Sequence, residues 1–459
     1  MPLMENRRKA VCCETFKEKI MLTAVVGINW GDEGKGRMVD LLGSDYDIIV
    51  RYQGGNNAGH TVKNDRGEFV LNIIPSGIFR ENTVNVLGTG MVIDLAHLTG
   101  EIKNLQSKGI KITPANLKIS EKAIVCMPYH VKLDELEENR LGANLQGSTR
   151  RGIAPAYSDK YYRKGIRVGD ILRPETLDSR LEPIIGFKNA LLRGYGATEI
   201  TAQEVSAWLR EYGAFLAPFI ENTEDFLEEA AQQQKNILFE AQLGTLRDID
   251  YGIYPYTTSS SALAAYAPVG AGIPGRRLDN VVGIVKAYSS SVGGGPFAVE
   301  MDGEEAEALR TAGGEYGAST GRPRRVGAFD VVASRFGVRM QGADALALTK
   351  LDVLSYMEKI PVCVAYDVNG VITEAFPTGD DLEAAKPVFE YLPGFMTDIS
   401  ECRKAEELPT AALEYVRYIE RAVGQRIKYV SVGPKRGDYL ELPSLLVSQR
   451  KLKTETAGK

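Results

Sequence analysis

Hydrophobic and polar positions along the chain alternate between two periods. Short unbroken apolar runs empty into glycine-rich polar segments, and these lead into stretches where apolar residues recur three and four positions apart. The clearest case is Leu22 to Leu42, LTAVVGINWGDEGKGRMVDLL. Leu22, Ala24, Val25 and Val26 form a charge-free run of strand length, as a parallel strand buried on both faces requires. Met38, Val39, Leu41 and Leu42 give the next segment one apolar helical face. The strand-to-loop pattern returns at Asp47 to Val50 before RYQGGNNAGHT and at Ile237 to Glu240 before AQLGTLRDIDYGIYPYTTSS. It returns again at Val281 to Lys286 before AYSSSVGGGP, Leu346 to Thr349 before KLDV, and Ile427 to Val432 before GPKRGD.

Between these runs, Phe69 to Ile74, Val84 to Leu87 and Ala123 to Met127 read as further strands, Leu98 to Lys108 as a helix, and Leu133 to Leu141 as a charged surface helix. Residues 174 to 234 are largely helical by period, with Asn222 and Asp225 marking a helix start. Pro361 to Val368 and Val371 to Phe376 flank Asn369-Gly370, a type I′ hairpin signal. Leu413, Val416, Ile419 and Val423 mark an amphipathic helix closed by Gly424. Residues 142 to 166, GANLQGSTRRGIAPAYSDKYYRKGI, fit neither period and read as a long functional loop. Strands alternating with helices predict an α/β fold: a large, mainly parallel central sheet with flanking helices, P-loop-NTPase-like, with helical and hairpin insertions. Ligands bind at the carboxyl ends of such strands, so the polar loops are expected to meet in one site. No shift in composition marks a linker, which predicts one α/β domain over residues 21–448 between tails at 1–20 and 449–459.

Composition narrows the class without changing the fold. With 459 residues, 44% hydrophobic and 25% charged, the chain has ample core. A net charge of −5 argues against nucleic-acid backbone binding, and no run of about 18 apolar residues suggests a membrane span. The first twenty residues are mixed-charge and lack an apolar signal segment, so a cytoplasmic protein is expected. Cys12, Cys13, Cys126, Cys363 and Cys402 form no CxxC pair, which suits a reducing compartment and offers no zinc site.

Gly27, Gly31, Gly34 and Gly36 allow backbone N–H groups to turn toward an anion, with Lys35 as a point charge and a helix N-terminus behind them. The Walker A pattern has four residues between its glycines and a Ser or Thr after Lys; here six separate Gly27 from Gly34, and Gly36 follows Lys35. Asp32 is the substitute for the missing metal-binding hydroxyl, since a carboxylate beside phosphates must bind metal or take a proton. An ordinary glycine-rich turn with a solvated Asp and Lys is the alternative. Thr349-Lys350-Leu351-Asp352 differs from the NKxD signature of GTPases only in its first residue; a carboxylate there accepts from guanine N1–H and the exocyclic amine. A solvated strand end is the competing explanation. His60 lies in a polar loop, where an imidazole can support charge on a transferring phosphoryl group, whereas His97 and His130 read as packed residues. GASTGRPRR at 317–325 sets two hydroxyls and three arginines around Gly321, a carboxylate or phosphate trap or else a solvated basic turn.

These segments, WGDEGKG at 30–36, the QGG and NAGHT run at 53–61, IPSGI at 74–78, YPYTTSS at 254–260, STGR with the arginines to 325, TKLDVL at 349–354 and GP at 433–434, resemble the adenylosuccinate synthetase family from about Val25 to Gly433. The resemblance implies a GTP-dependent ligase that joins IMP and L-aspartate through 6-phosphoryl-IMP in purine nucleotide synthesis, with Asp32 as base and His60 supporting the transferred phosphoryl group. It implies Mg²⁺ on Asp32 and the Gly59 carbonyl, and GTP among Gly31, Glu33, Gly34, Lys35, Gly36, Arg37, Gly59, Thr61, Arg324, Lys350, Leu351, Asp352, Ser431, Val432 and Gly433. IMP would meet Asn57, Ala58, Thr149, Gln242, Thr258, Arg322 and Arg163, the last from the second subunit of a homodimer. Aspartate would meet Ala318, Ser319, Thr320, Gly321, Arg322 and Arg324. No nucleic-acid or membrane partner is implied.

The chain departs from the family pattern at Asn56 and Asn72, where histidine is frequent, at Arg37 in place of Lys, at Arg150 in place of glycine, at Leu243 beside the shifted Gln242, and at Ser291 in place of Arg. None touches Asp32, His60, Lys350 or Asp352. The acceptor pocket is therefore where a paralogue joining an amino acid to a modified purine nucleotide would differ. A GTP-binding regulatory protein without catalysis is the other class.

Overall fold

The computed structural model describes residues 21–64, 67–142, 145–317, 321 and 323–443. Its centre is a ten-stranded sheet. In chain order the strands are β1 (Leu22–Gly27), β2 (Ile48–Arg51), β3 (Val84–Leu87), β4 (Leu117–Ser120), β5 (Ile220–Glu221), β6 (Ile237–Glu240), β7 (Asn280–Lys286), β8 (Ala345–Thr349), β9 (Ile427–Ser431) and β10 (Tyr439–Glu441). They lie side by side as β10-β9-β8-β7-β1-β6-β2-β3-β4-β5, and every neighbouring pair is parallel except β9 with β10. The first strand thus sits in the middle, between β6 and β7, with Val25 opposite both Glu240 and Val282.

Both faces of this sheet are covered, which explains the unbroken apolar runs. Ala24, Val26, Val50 and Phe239 pack into one core cluster, while Val25, Ile49, Leu238 and Val282 pack on the opposite face with Met38 and Val39 of the first helix, Lys35–Leu42. A second cluster joins Leu98 and Ile102 to Leu181 and Leu209, so the helices Leu95–Ser107, Pro174–Gly194 and Ala202–Leu216 form a body of their own beside β3 to β5. The hairpin expected around Asn369-Gly370 joins Lys359–Val368 to Val371–Thr373, with φ +53° and +87° at the two turn residues. Among the described residues no helix is long and apolar enough to cross a membrane.

Three local expectations change. The stretch 142–166 contains a helix, Ile153–Tyr162, whose buried face of Ile153, Ala156 and Tyr157 is too short to show a period between flanking glycines. Ala385–Pro393 is a strand paired along Lys359–Val368; its half-exposed side chains lack the apolar alternation that marks a strand. The charged helix near Leu133 spans Pro128–Leu141 and buries Asp134 and Glu138, so it is not purely a surface helix. The anticipated start at Asn222 holds: its side chain accepts from Asp225 N at 3.2 Å and caps Thr223–Gln232. Asn222→Ala is expected to lower the unfolding free energy by about 1 kcal/mol in urea titration; an unchanged midpoint would show that the cap contributes nothing.

Candidate active site

The loop after β1 is built around a buried carboxylate. Glu33 Oε1 accepts from the backbone N–H groups of Asn29 at 3.2 Å and Gly31 at 2.7 Å, and Lys35 Nζ lies 2.7 Å from Oε2. A Cβ on Gly27 would come within 2.6 Å of Glu33 Oε2, and one on Gly244 within 2.7 Å of Oε1, so both glycines leave room for this group. Gly31, Asp32 and Gly34 have φ of +101°, +58° and +96°, and the helix beginning at Lys35 points its N-terminus into the turn. Glu33 and Lys35, expected at the nucleotide, are buried and paired with each other.

The position after Lys35 has no room for a hydroxyl-bearing residue. A Cβ on Gly36 would approach His60 Cβ to 2.6 Å and Ser76 Oγ to 3.0 Å. Histidine therefore occupies the space where a Walker A loop carries Ser or Thr. His60 Nδ1 lies 2.5 Å from Glu240 Oε1, and Ser76 donates to the same carboxylate from N at 2.8 Å and Oγ at 2.6 Å. Burial lowers the basicity of His60, and Glu240 opposes that shift without overcoming it. Burial would raise the Glu240 pKa, but His60, Arg51 and Ser76 together hold it below the ordinary carboxylate value. Glu240 stands in register with Arg51 of β2, which is fully buried and donates to Asn72 O at 2.8 Å.

A second cluster faces Asp32. Glu315, fully buried, accepts from Lys286 Nζ at 2.8 Å, Lys350 Nζ at 2.7 Å, Tyr288 OH at 2.6 Å and Arg324 Nη1 at 2.8 Å. Burial alone would raise its pKa, but the three cations hold it well below the ordinary carboxylate value. Arg324 Nη2 reaches Asp32 Oδ2 at 3.2 Å. The three cations outnumber the two carboxylates, which favours an anionic ligand.

The other loops close on these two clusters. Thr349 Oγ1 donates to Glu33 O at 2.8 Å, and Lys350 adopts φ +59° at the start of a turn that carries Leu351 and Asp352. Burial raises the Asp352 pKa. Arg37 donates to Ser431 Oγ at 3.1 Å and its guanidinium lies 4.5 Å from the Tyr439 ring centroid; Val432 N bonds Asp438 O, and Gly433 O accepts from Ser431 Oγ at 3.1 Å. Gln242 is buried and donates to Gly55 O at 2.8 Å, with Leu243 beside it at φ +58°. Asn57 Oδ1 accepts from Gly55 N at 3.1 Å, Ala58 O accepts from Asn72 Nδ2 at 3.0 Å, and Thr61 follows His60 in the strand His60–Asn64. Asn72 also meets His97 Nε2 at 3.1 Å, so this departure ties the loop before His60 to the helix Leu95–Ser107. Thr258 N donates to Arg247 O at 2.8 Å.

Thr149 and Arg163 are exposed, the latter at φ +60° where the helix Ile153–Tyr162 ends. Ala318, Ser319, Thr320 and Arg322 lie outside the described residues; Gly321 has φ +64°. Sequence reading missed Glu240, Ser76, Arg51, Lys286 and Glu315. A signal existed for three of them, because β2, β6 and β7 end their apolar runs in Arg51, Glu240 and Lys286, each a charge at the carboxyl end of a buried strand.

Fold and site define a class first: an α/β nucleotide-binding protein whose phosphate loop carries a carboxylate and is backed by a histidine–glutamate pair. The chain belongs to the adenylosuccinate synthetase family, whose family model matches residues 24–440. The adenylosuccinate synthetase of Pelotomaculum thermopropionicum is 47% identical over 90% of this chain and 96% of its own; that of Caldanaerobacter subterraneus is 43% identical over 92% and 99%. A solved, fully ligated adenylosuccinate synthetase from Plasmodium falciparum superposes with a TM-score of 0.86 at 34% identity, covering 92% of this chain and 100% of that one. A cyanophage S-2L succinoaminodeoxyadenylate synthetase, at 18% identity, TM-score 0.59 and coverage of 95% and 99%, shares the fold.

Lys286 makes the cluster testable. Burial first, and the neighbouring Lys350 and Arg324, bring its pKa down from 10.5 to about 8 against the pull of Glu315 and Asp32. Between those two values the unfolded chain holds the proton that the folded protein has shed, so stability rises with pH through this window. Relative to Lys286→Gln, the wild type is expected to gain about 2 kcal/mol between pH 8 and 10 in denaturant titrations. Parallel pH dependences would refute a buried, unfavourably placed cation at 286.

Proposed function

We propose that the chain converts IMP and L-aspartate to adenylosuccinate, GDP and phosphate at the expense of GTP, as the family's activity implies. The observation that carries this reading is His60 packed on Gly36, with Asp32 in the adjoining phosphate loop. A purine 6-oxo group leaves poorly and must first be activated. Asp32 removes the N1 proton of IMP, O6 attacks the γ-phosphorus of GTP, and GDP departs. The aspartate amine then attacks C6, the C6–O6 bond breaks, and O6 leaves with its phosphoryl group as inorganic phosphate while the amine sheds a proton.

The remaining side chains act on charge and orientation. Glu240 fixes the His60 ring through Nδ1, which assigns Nε2 to the phosphoryl group. A dianionic phosphoryl group arriving there raises the basicity that burial has lowered, so the protonated ring donates to developing charge. Lys350 and Asp352 take the guanine, with Lys350 steadied by Glu315 and Asp352 accepting N1–H and the amine. Arg324 leaves Asp32 when aspartate or GTP supplies another anion, which frees the base. Gly321, Arg322 and residues 318–320 receive the aspartate carboxylates.

Among the described residues no cluster of three or more metal-ligating side chains occurs. Asp32, with its side chain 31% exposed, and the Gly59 carbonyl would hold a Mg²⁺ bound with the nucleotide. When bound, it neutralises phosphate charge. We also assign the protein to the cytoplasm, as one domain between two tails. A homodimer accounts for Arg163 lying exposed next to Tyr161 and Tyr162, which are themselves 72% and 60% exposed.

Phosphate release is followed with GTP, Mg²⁺ and aspartate, and with IMP or other purine nucleotides as acceptor. IMP-dependent turnover is expected; turnover only with another purine nucleotide would replace the acceptor, and no nucleotide-dependent turnover would leave a GTP-binding protein. Asp32→Asn is expected to retain GTP binding and lose turnover by about 10²-fold or more. Near-normal turnover would remove Asp32 from the role of base.

A further inference from the structure

Arg247 is a buried cation that the reaction above does not use. Its side chain lies in the turn Thr245–Arg247 after β6, 7% exposed, and is held by oxygens of neutral groups. Nη1 donates to Tyr256 O at 2.5 Å and Gly294 O at 3.2 Å; Nη2 donates to Ser291 Oγ at 2.8 Å and Val292 O at 2.6 Å. Among the described residues no carboxylate pairs with it, and the charged neighbour that acts on it is another arginine, Arg325, which donates to Gly295 O at 2.7 Å. Burying a charge without a counter-ion is costly, so a purely structural role would be served at least as well by a neutral group.

The place of this cation gives the charge a task. The backbone of Arg247 accepts from Thr258 N, while its guanidinium fastens the 291–294 segment. That segment in turn lies against the loop carrying Thr149: Gly294 N donates to Gln146 O, and a Cβ on Gly147 would meet Gly293 Cα at 3.0 Å. Arg247 therefore links Thr258, through its backbone carbonyl, to the glycine-rich 291–295 segment, through its guanidinium, and that segment carries the link on to the 146–149 loop. The serine at 291, read from sequence as the loss of an arginine, receives a guanidinium from the neighbouring loop instead.

We propose that Arg247 is a positioning residue for the acceptor nucleotide: it locks the wall between Thr258 and the Thr149 loop and supplies uncompensated positive charge toward the nucleotide phosphate. This rests on the reading that IMP is held by Thr149 and Thr258. The residue does not touch the reacting atoms, because its donors are spent on the loops. It acts on the binding of one substrate out of three, which separates it from a general stabiliser.

The test is steady-state kinetics of the full-length protein with Mg²⁺, varying IMP, GTP and aspartate in turn. Arg247→Met removes charge and fork, and is expected to raise KM for IMP by about tenfold or more while KM for GTP stays within about twofold. Arg247→Lys, which keeps the charge, is expected to recover much of the loss, to within about threefold of wild type. Ser291→Ala removes one acceptor and leaves the fold intact; about a twofold rise in KM for IMP is expected. If Arg247→Met does not fold, the lysine and Ser291 variants decide the matter. Unchanged KM for IMP in Arg247→Met and Ser291→Ala, or equal changes for IMP and GTP, overturns the proposal. Wild-type turnover that requires a different purine nucleotide would overturn the IMP reading alone, and the same ratio is then measured with that nucleotide.

Discussion

A carboxylate buried beneath a phosphate loop has to be satisfied from every side, and Glu33 sets that condition here. Its two oxygens take two backbone N–H groups and the Lys35 ammonium, so the loop is braced from within before any nucleotide arrives. The brace fixes where other residues can be bare or bulky. At Gly27 and Gly244 a Cβ would meet the carboxylate and, closer still, the backbone oxygens of Leu243 and Asn29, so both positions are held bare. Asp32, next to Glu33 and at φ +58°, is turned outward by the same bend that turns Glu33 inward. Adjacent acids thereby part, Glu33 buried to hold the loop and Asp32 partly exposed beside Arg324.

Further charge is placed by the sheet rather than by the loop. Glu240 and Arg51 are register partners at the ends of β6 and β2, and Lys286 is opposite Thr349 at the ends of β7 and β8. In a parallel sheet the strands finish at one edge, so a charge that ends an apolar run is delivered there together with its neighbours' charges. His60 then meets Glu240, and Glu315 gathers Lys286, Lys350 and Arg324. The two clusters flank the phosphate loop, one presenting an imidazole and the other an excess of cations. The glycine after Lys35 belongs to the same plan, since His60 needs the volume that a Walker A hydroxyl would fill.

The loops at residues 145–152 and 291–295 are held by a different kind of contact. Arg247, Asp134 and Glu138 bind backbone N–H or carbonyl groups more than they bind one another: Asp134 accepts from Gly152 N at 2.8 Å, and Glu138 from the N–H groups of Gln146 and Gly147 at 3.2 Å each. Side chains from rigid elements therefore stand in for the missing regular structure of residues 145–152. Positions that looked like departures from a family pattern, Asn72 and Ser291, are members of these nets, paired with His97 and Arg247.

The strand runs, the first helix, the Asn222 cap and the Asn369-Gly370 hairpin were legible in the sequence, because each depends on period, capping or turn chemistry within a dozen residues. Asp32, Lys350 and Asp352 stood out for a related reason: they follow apolar strands closely, where a residue's type suggests its chemistry, whereas His60, read as lying in a polar loop, opens the strand His60–Asn64. Glu240 showed only as a charge ending an apolar run, and Glu315 and Arg247 did not stand out at all. Their partners lie 180, 29 and 44 residues away in the chain, at His60, Lys286 and Ser291. A lone charge in a sequence gives no sign of whether it will be solvated or buried against a distant opposite. The linear order of residues thus determined the sheet and the loop chemistry at its edge; only the packing of strands into one parallel layer decided which charges meet, since pairing energy depends on distance and burial, and neither exists until the chain has folded.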